Sequence, residues 1–235
     1  MTSRLRDALA TPDGKRLYVR RLFATIADRY DLITRVLSFG RDRGWKARVA
    51  ALSRADRATH ALDLACGTGD IAFAIAARGA RVVGLDVTHR MLQLARSRGP
   101  GAAFVTADML ALPFPDRAFD VVTTGYGLRN VPDIRRAIDE VARVLRPGGT
   151  FVSLDFNRPE NPLVRGIYLS YLTLVGSLLG VVLHRDPDTY RYIAESIKRY
   201  PGAARVNRMI AEAGFSQSDY LPVLGGLMAI HHARR

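Results

Sequence analysis

From about residue 58 onward, short apolar runs alternate with amphipathic stretches. ALDLA (61–65), RVVGLDV (81–87), AAFVTA (102–107), FDVVTTG (119–125) and TFVSLDF (150–156) read as strands. Between them, IAFAIAAR (71–78), HRMLQLARSR (89–98) and a segment from about Pro132 to Leu145 carry apolar residues at helical spacing. Strands apolar on both faces, alternating with helices, predict a parallel sheet covered on both sides. Thr88 is placed to cap the second of these helices, and RPGG (146–149) reads as a turn. Residues 16 to about 55 read as helices ahead of the first strand.

After Phe156 the rhythm changes. GIYLSYLTLVGSLLGVVL (166–183) is a long apolar stretch, and DTYRYIAESIKRY (188–200) is a polar helical one. PGAARVNRMIAEAGF (201–215) predicts a helix closed by Gly214 as its C′ glycine. SDYLPV and GLMAIHHA predict an antiparallel hairpin at the sheet edge, where His231 and His232 would be solvated. The expected organisation is a single domain. A helical cap covers 1–57, an α/β core 58–156, a helical insertion 157–200, and a last helix with a strand pair 201–235.

Composition narrows the class. Of 235 residues, 48% are hydrophobic, enough for a sizeable core. The net charge of +13 suggests a polyanionic partner. Only three of the 35 basic residues are lysines, however, and the arginines are spread along the whole chain, which reads as a compositional habit. No nucleic-acid partner is expected. Cys66 is the single cysteine, so neither a disulfide within the chain nor a cysteine metal site is expected, in keeping with a reducing cytoplasm. The first residues carry no apolar run of the signal-peptide kind.

The chemistry centres on DLACGTGD, 63–70. Gly67, Gly69 and Ala72 satisfy G-x-G-x-x-G/A between a strand and a helix, and Asp86 ends the next strand, where a carboxylate can accept from ribose hydroxyls. The charges discriminate between cofactors. A dinucleotide would bring its pyrophosphate to this helix start, yet Asp63 and Asp70 flank the turn. S-adenosylmethionine has no phosphate, and its ammonium and sulfonium suit carboxylates. Asp108, after the third strand, is placed to reach an adenine amino group. For Asp70 a helix cap is an equally good reading; for Asp63 a loop hydrogen bond is the weaker, competing one.

These residues resemble the Rossmann-like S-adenosylmethionine-dependent methyltransferases. DLACGTGD, GLDV, ADMLALPFPDRAFDVV and the strand after RVLRPGG match their successive motifs. The resemblance implies a mostly parallel seven-stranded sheet with helices on both faces and an antiparallel last strand. It implies S-adenosylmethionine as cofactor, S-adenosylhomocysteine as product, and no metal. Asp63, Gly67, Thr68, Gly69, Asp86, Val87, Asp108, Met109 and Gly125 would then bind the cofactor.

Over nearly the whole chain the sequence is similar to the C-methyltransferases of menaquinone and ubiquinone biosynthesis. YDLITRVLSFGRDRGWK (30–46), YGLRNVPD (126–133), RVLRPGGTFVSLDFNRP (143–159), DTYRYIAESIKRYP and GGLMAIHHA carry the likeness. Ile33 and Thr34 replace the usual Met-Asn, Asp42 stands where histidine is usual, and Asp155 where glutamate is usual. The resemblance implies an apolar prenyl quinol as acceptor, demethylmenaquinol foremost, and leaves room for peripheral membrane contact and a homodimer.

Carbon methylation of a hydroquinol needs a deprotonated ring hydroxyl, alignment with the methyl group and exclusion of water. Arg129 is expected to stabilise the phenolate, Asn130 to hold a ring oxygen and Tyr30 to line the pocket. The competing role for Arg129 is an ion pair with Asp108 or Asp133. Trp45 reads as core. Another apolar phenol or polyketide as acceptor, and a non-catalytic cofactor-binding subunit, are the alternative functions. The 166–183 segment reads as an apolar cover over the acceptor that touches lipid, with Arg158, Arg165 and Arg185 beside it, and its glycines and polar residues argue against a spanning helix.

Overall fold

The computed structural model describes residues 3–38 and 40–235. Seven strands run β1 His60–Leu64, β2 Arg81–Asp86, β3 Ala103–Thr106, β4 Phe119–Gly125, β5 Leu145–Phe156, β6 Gln217–Val223 and β7 Met228–Arg234. They lie in the order β3-β2-β1-β4-β5-β7-β6. Neighbours from β3 to β5 are parallel, and β7 is antiparallel to both β5 and β6. The chain starts mid-sheet at β1, moves out to β3, then returns to β4. That reversal opens a crevice at the carboxyl ends of β1 and β4, where ligands bind in folds of this kind.

Helices α5 (Asp70–Ala76), α6 (His89–Ser97), α7 (Ile134–Val144) and α10 (Ala203–Glu212) follow strands or precede them. The α7 segment shows why its sequence is helical. Asp133 caps it by accepting from the Arg136 amide, and Ala137, Ile138, Val141 and Val144 form one buried stripe. That stripe packs with Leu62, Val122, Phe151, Val206 and Ile210 on one sheet face. Ala61, Val121 and Val152, the alternate strand positions, pack with Val49, Ile71 and Ile75 on the other.

Four helices precede the sheet: α1 (Ser3–Ala8), α2 (Pro12–Ile26), α3 (Tyr30–Leu37) and α4 (Asp42–Leu52). Helical structure therefore starts earlier than residue 16. Two more, α8 (Pro162–His184) and α9 (Asp188–Arg199), lie between β5 and α10. Leu5, Leu22, Ile26, Ile33 and Leu37 join Tyr190 and Tyr192 in a third apolar cluster that ties the two helical groups together.

Other local expectations change. RPGG lies inside β5 rather than in a free turn: the β4–β5 register passes from Phe119↔Leu145 to Val121↔Thr150, so the extra residues bulge outward. Thr88 occupies the N-cap position, but its hydroxyl makes no capping bond; Asp86 Oδ1 accepts the Thr88 amide instead. Gly69 (φ 87°), not Asp70, precedes α5. Gly214, at φ 90°, follows α10 as expected. The terminal hairpin forms, yet only β6 is an edge. β7 is interior, so His231 is buried, not solvated, with Nε2 against the Ala203 carbonyl at 3.0 Å.

The apolar segment is one 23-residue helix, long and apolar enough by composition to cross a bilayer. Here it packs along α9. Two of its three glycines permit close approach there: a Cβ on Gly176 would sit 3.0 Å from the Tyr190 carbonyl oxygen of α9, and one on Gly180 would clash with the Asp186 carbonyl of the loop before α9. The opposite face leaves Leu163, Ile167, Leu174, Leu178 and Val182 exposed.

Candidate active site

Two adjoining cavities occupy the carboxyl-end crevice. The first is a narrow cleft of about 90 Å³, lined by Gly67, Asp86, Val87, Asp108, Met109, Gly125 and Asn130 from the core and by Arg16, Val19, Phe23 and Tyr30 from the preceding helices. The turn after β1 is built from left-handed backbone: Ala65, Gly67 and Gly69 have φ of 49°, 55° and 87°. Such a conformation is costly for alanine and easy for glycine. Asp86 fastens the turn to β2, its Oδ2 accepting the Gly67 amide at 2.9 Å and its Oδ1 the Thr88 amide at 2.7 Å. Each oxygen keeps a further lone pair for a ligand hydroxyl.

Asp63 opens onto a small adjoining recess with Tyr30, Lys46, Cys66, Thr68, Asp70, Gly125 and Tyr126. Its Oδ1 accepts from the Thr123 hydroxyl at 2.8 Å, while Oδ2 is buried with no partner. Burial pushes this carboxyl up to about 7. An orphaned buried oxygen of this kind fits a cationic amine, and the Asp86 oxygens fit a ribose. The residues present therefore fit S-adenosylmethionine.

Asp70 plays a different part from the one its position suggested. It is ion-paired with Lys46 at 2.8 Å and Arg98 at 2.6 Å, and these cations hold its carboxyl below the usual range against the opposing effect of burial. Of the two acids flanking the turn, only Asp63 has an uncommitted oxygen. The Thr68 hydroxyl donates to Asp31 at 2.8 Å, tying the turn to α3. Gly69 shapes the turn and lines neither the cleft nor the recess. Asp108 forms an ion pair with Arg16 at 2.7 Å.

The second cavity is larger, about 410 Å³, and almost wholly apolar. Leu22, Phe23 and Tyr30 from the preceding helices, Trp45, Tyr126, Arg129 and Phe156, and Ile167, Tyr168 and Tyr192 from α8 and α9 line it. Trp45 thus belongs to the cavity wall as well as to the core. Phe23, Tyr30 and Tyr126 line both this cavity and the cleft, so they form the wall where the two meet.

Arg129 is the one basic side chain among the residues lining this apolar cavity. It sits on the Leu128–Asn130 turn after β4, only 5% exposed. Its partner is neither Asp108 nor Asp133 but Asp155 at the end of β5: Nη1 lies 3.3 Å from Oδ1, and the Arg129 amide donates to Oδ2 at 3.0 Å. The guanidinium also donates to the Tyr126 carbonyl at 3.2 Å and lies over the Phe156 ring at 4.7 Å, while Nε has no partner. Asn130 faces the cleft, but its amide is committed within the protein: Nδ2 donates to the Tyr126 carbonyl at 2.7 Å, and Oδ1 accepts from the Tyr192 hydroxyl at 3.1 Å.

Several contributors carried no sequence signal as site residues. Tyr126, at φ 62°, donates its hydroxyl to Asp42 at 2.6 Å, and Asp42 is paired with Lys46 at 2.6 Å. This chain of polar contacts runs from the shared wall through α4 to the glycine turn. Non-glycine residues in this backbone region store strain and gather at functional sites.

Comparison with known proteins agrees with this geometry. The chain is 38% identical over 229 residues to a demethylmenaquinone methyltransferase of Roseiflexus castenholzii, covering 96% of each chain. It is 42% identical over 216 residues to the protein of that name from Thermus thermophilus, covering 89% of this chain and 98% of that one. In structure it resembles a SAM-dependent methyltransferase from Thermotoga maritima, with a TM-score of 0.66, 17% identity and coverage of 92% and 99%. The expected Rossmann-like methyltransferase fold is therefore present. The sequence pattern of the ubiE/COQ5 methyltransferase family matches residues 11–235, and the chain belongs to that family.

Proposed function

We propose that this protein transfers the methyl group of S-adenosylmethionine to a ring carbon of a demethylated prenyl quinol, demethylmenaquinol in the first place. The observation that carries the reading is the 410 Å³ apolar cavity with a single guanidinium in its lining, sharing a wall with the acid-lined cleft. The names of the two relatives support the same acceptor.

Bound S-adenosylmethionine supplies an electrophilic methyl on a sulfonium. Asp63 holds the cationic amino group, Asp86 the ribose hydroxyls, and Asp108, with Gly67, Val87, Met109 and Gly125 around it, the adenosine. Tyr30 and Tyr126 orient the acceptor ring at the shared wall. Arg129 cannot act as a base, because its proton is held too tightly. Its unpartnered Nε and its charge instead stabilise a ring phenolate, which raises electron density at the carbon to be methylated. The apolar walls exclude water.

In this reading α1–α4 cap the cofactor and α8–α9 cover the acceptor. The exposed apolar face of α8 rests on a bilayer from which a prenyl tail enters the cavity, and the protein is a cytoplasmic one that visits the membrane. The test incubates purified protein with labelled S-adenosylmethionine and a panel of demethylated naphtho- and benzoquinols. The expected product is a quinol heavier by one methyl on a ring carbon. Label appearing only on oxygen, or only on non-quinol phenols, overturns the reading.

A further inference from the structure

Helix α2 reaches over the crevice with two adjacent cations. Arg16 pairs with Asp108 on one lip of the cleft. Lys15 turns to the other lip, where its Nζ donates to the carbonyl oxygens of Arg129 at 3.0 Å and Val131 at 2.5 Å. Those two carbonyls flank Asn130, at the end of the short turn that carries Arg129. Arg129, Asn130 and Val131 are all buried. A turn of three residues has no following helical amides to fill its carbonyls, and a buried unfilled carbonyl is costly. Lys15 is the donor that fills them.

The turn is therefore clamped from two sides. On its N–H side Asp155 accepts both the Arg129 amide and the guanidinium. On its C=O side stands the Lys15 ammonium. The two clamps stand on different parts of the fold. Asp155 belongs to β5, which is hydrogen-bonded to strands on both sides. Lys15 belongs to a helix of the cap. Three α2 residues, Arg16, Val19 and Phe23, line the cleft, so a cofactor held there lies against the helix that carries Lys15.

We propose that Lys15 is a positioning residue that couples docking of α2 over the cofactor to the placement of Arg129. The acceptor-side site is then assembled only when the cofactor is enclosed. The charges facing the ammonium are Arg129 on the turn, Arg199 on α9 and Asp155 on β5; burial and the two arginines push its pKa down to about 8 against the pull of Asp155. An ammonium held against such opposition fits a site that needs its donors. The inference rests on the role given to Arg129 above.

The test compares wild type with Lys15→Met, Lys15→Ala and Arg129→Ala, each with S-adenosylhomocysteine bound. Hydrogen exchange is read at the Asn130 and Val131 amides, and turnover is measured on a demethylated quinol. Lys15→Met is expected to speed exchange at these amides at least tenfold and to lower kcat at least thirtyfold, with KM for the quinol within threefold. Propylammonium, which restores the missing donor, is expected to recover kcat in Lys15→Ala, whereas tetramethylammonium is not. Unchanged exchange, a kcat within threefold of wild type, or equal rescue by both cations overturns the proposal. The exchange reading needs no acceptor. Should Arg129→Ala keep its turnover, it is the role of Arg129 that fails, while exchange still judges the clamp.

Discussion

The Arg129 guanidinium meets the Asp155 carboxylate at 3.3 Å, with side chains only 5% and 1% exposed. Removing one partner of such a pair leaves an uncompensated buried charge, at a cost of about 3–5 kcal/mol. Arg129→Ala should lower both stability and turnover, the latter by at least about a hundredfold, as for other lost donors to a developing anion. The double variant Arg129→Met, Asp155→Asn should regain stability but not turnover. Urea denaturation beside a kcat measurement separates the two effects. Equal instability of the single and double variants would show that the pair contributes packing rather than charge balance.

Asp63 makes cofactor binding depend on pH. Burial raises its carboxyl to about 7 from 3.8. A cationic amine beside Oδ2 favours the carboxylate, so binding expels a proton below about pH 7. Affinity for S-adenosylhomocysteine should climb between pH 5 and 7, by at most about tenfold per unit, and level off above. Asp63→Asn should bind weakly with a flat profile over that range. Calorimetry in buffers of different ionisation heat counts the proton. For the unliganded fold the sign is opposite to that of a salt-bridged acid. The folded pKa is raised, so this group favours folding most below the unfolded value of 3.8, and its contribution falls as pH rises towards 7.

Asp86 serves backbone and ligand together. Asp86→Ala removes the acceptor of the Gly67 and Thr88 amides and the two ribose contacts assigned to it. Charge-assisted bonds are worth about 1.5–3 kcal/mol each, so affinity for S-adenosylhomocysteine should fall at least about a hundredfold, with a lower Tm. An unchanged dissociation constant by calorimetry would remove Asp86 from the cofactor site.

The exposed face of α8 should be separable from the fold. Leu174 and Leu178 are 74% and 63% exposed. Replacing both by glutamate should leave Tm within a degree or two, as surface changes do. Flotation with phosphatidylglycerol vesicles should fall at least about tenfold, since each buried leucine is worth about 1.5–3 kcal/mol. If the variant floats as before while its gel-filtration volume shifts from dimer to monomer, the face joins two copies of the chain.

What the sequence disclosed was mostly local. The strand–turn–helix at DLACGTGD and Asp86 at the next strand end could be read because the residues that meet are fixed by one βαβ unit. The opening helices and the interior place of β7 were harder, since amphipathic spacing does not say which surface a helix covers or between which strands a hairpin inserts. The polar pairs that build the site lay furthest out of reach. Lys15 and the Arg129 carbonyl are 114 positions apart, and Asp42 and Tyr126 are 84 apart. Such partners are chosen by tertiary packing, and no periodicity announces them. Asp70 misled for the same reason: an acid beside the turn looked available to a ligand until Lys46 and Arg98 were brought against it.

The interior place of β7 has a consequence for how the chain acquires its fold. β7 follows β6 in sequence, yet it lies between β6 and β5. β6 and β7 form a local hairpin, and until it docks through β7, β5 presents an open row of amides and carbonyls along one edge. β7 is separated from its partner β5 by α8, α9, α10 and β6, so their pairing closes a long loop and forms slowly. During that interval the bare edge of β5 invites pairing with another nascent chain. Refolding yield should therefore fall with protein concentration more steeply than activity of the folded enzyme would suggest, and a chaperone that shields strand edges should restore it.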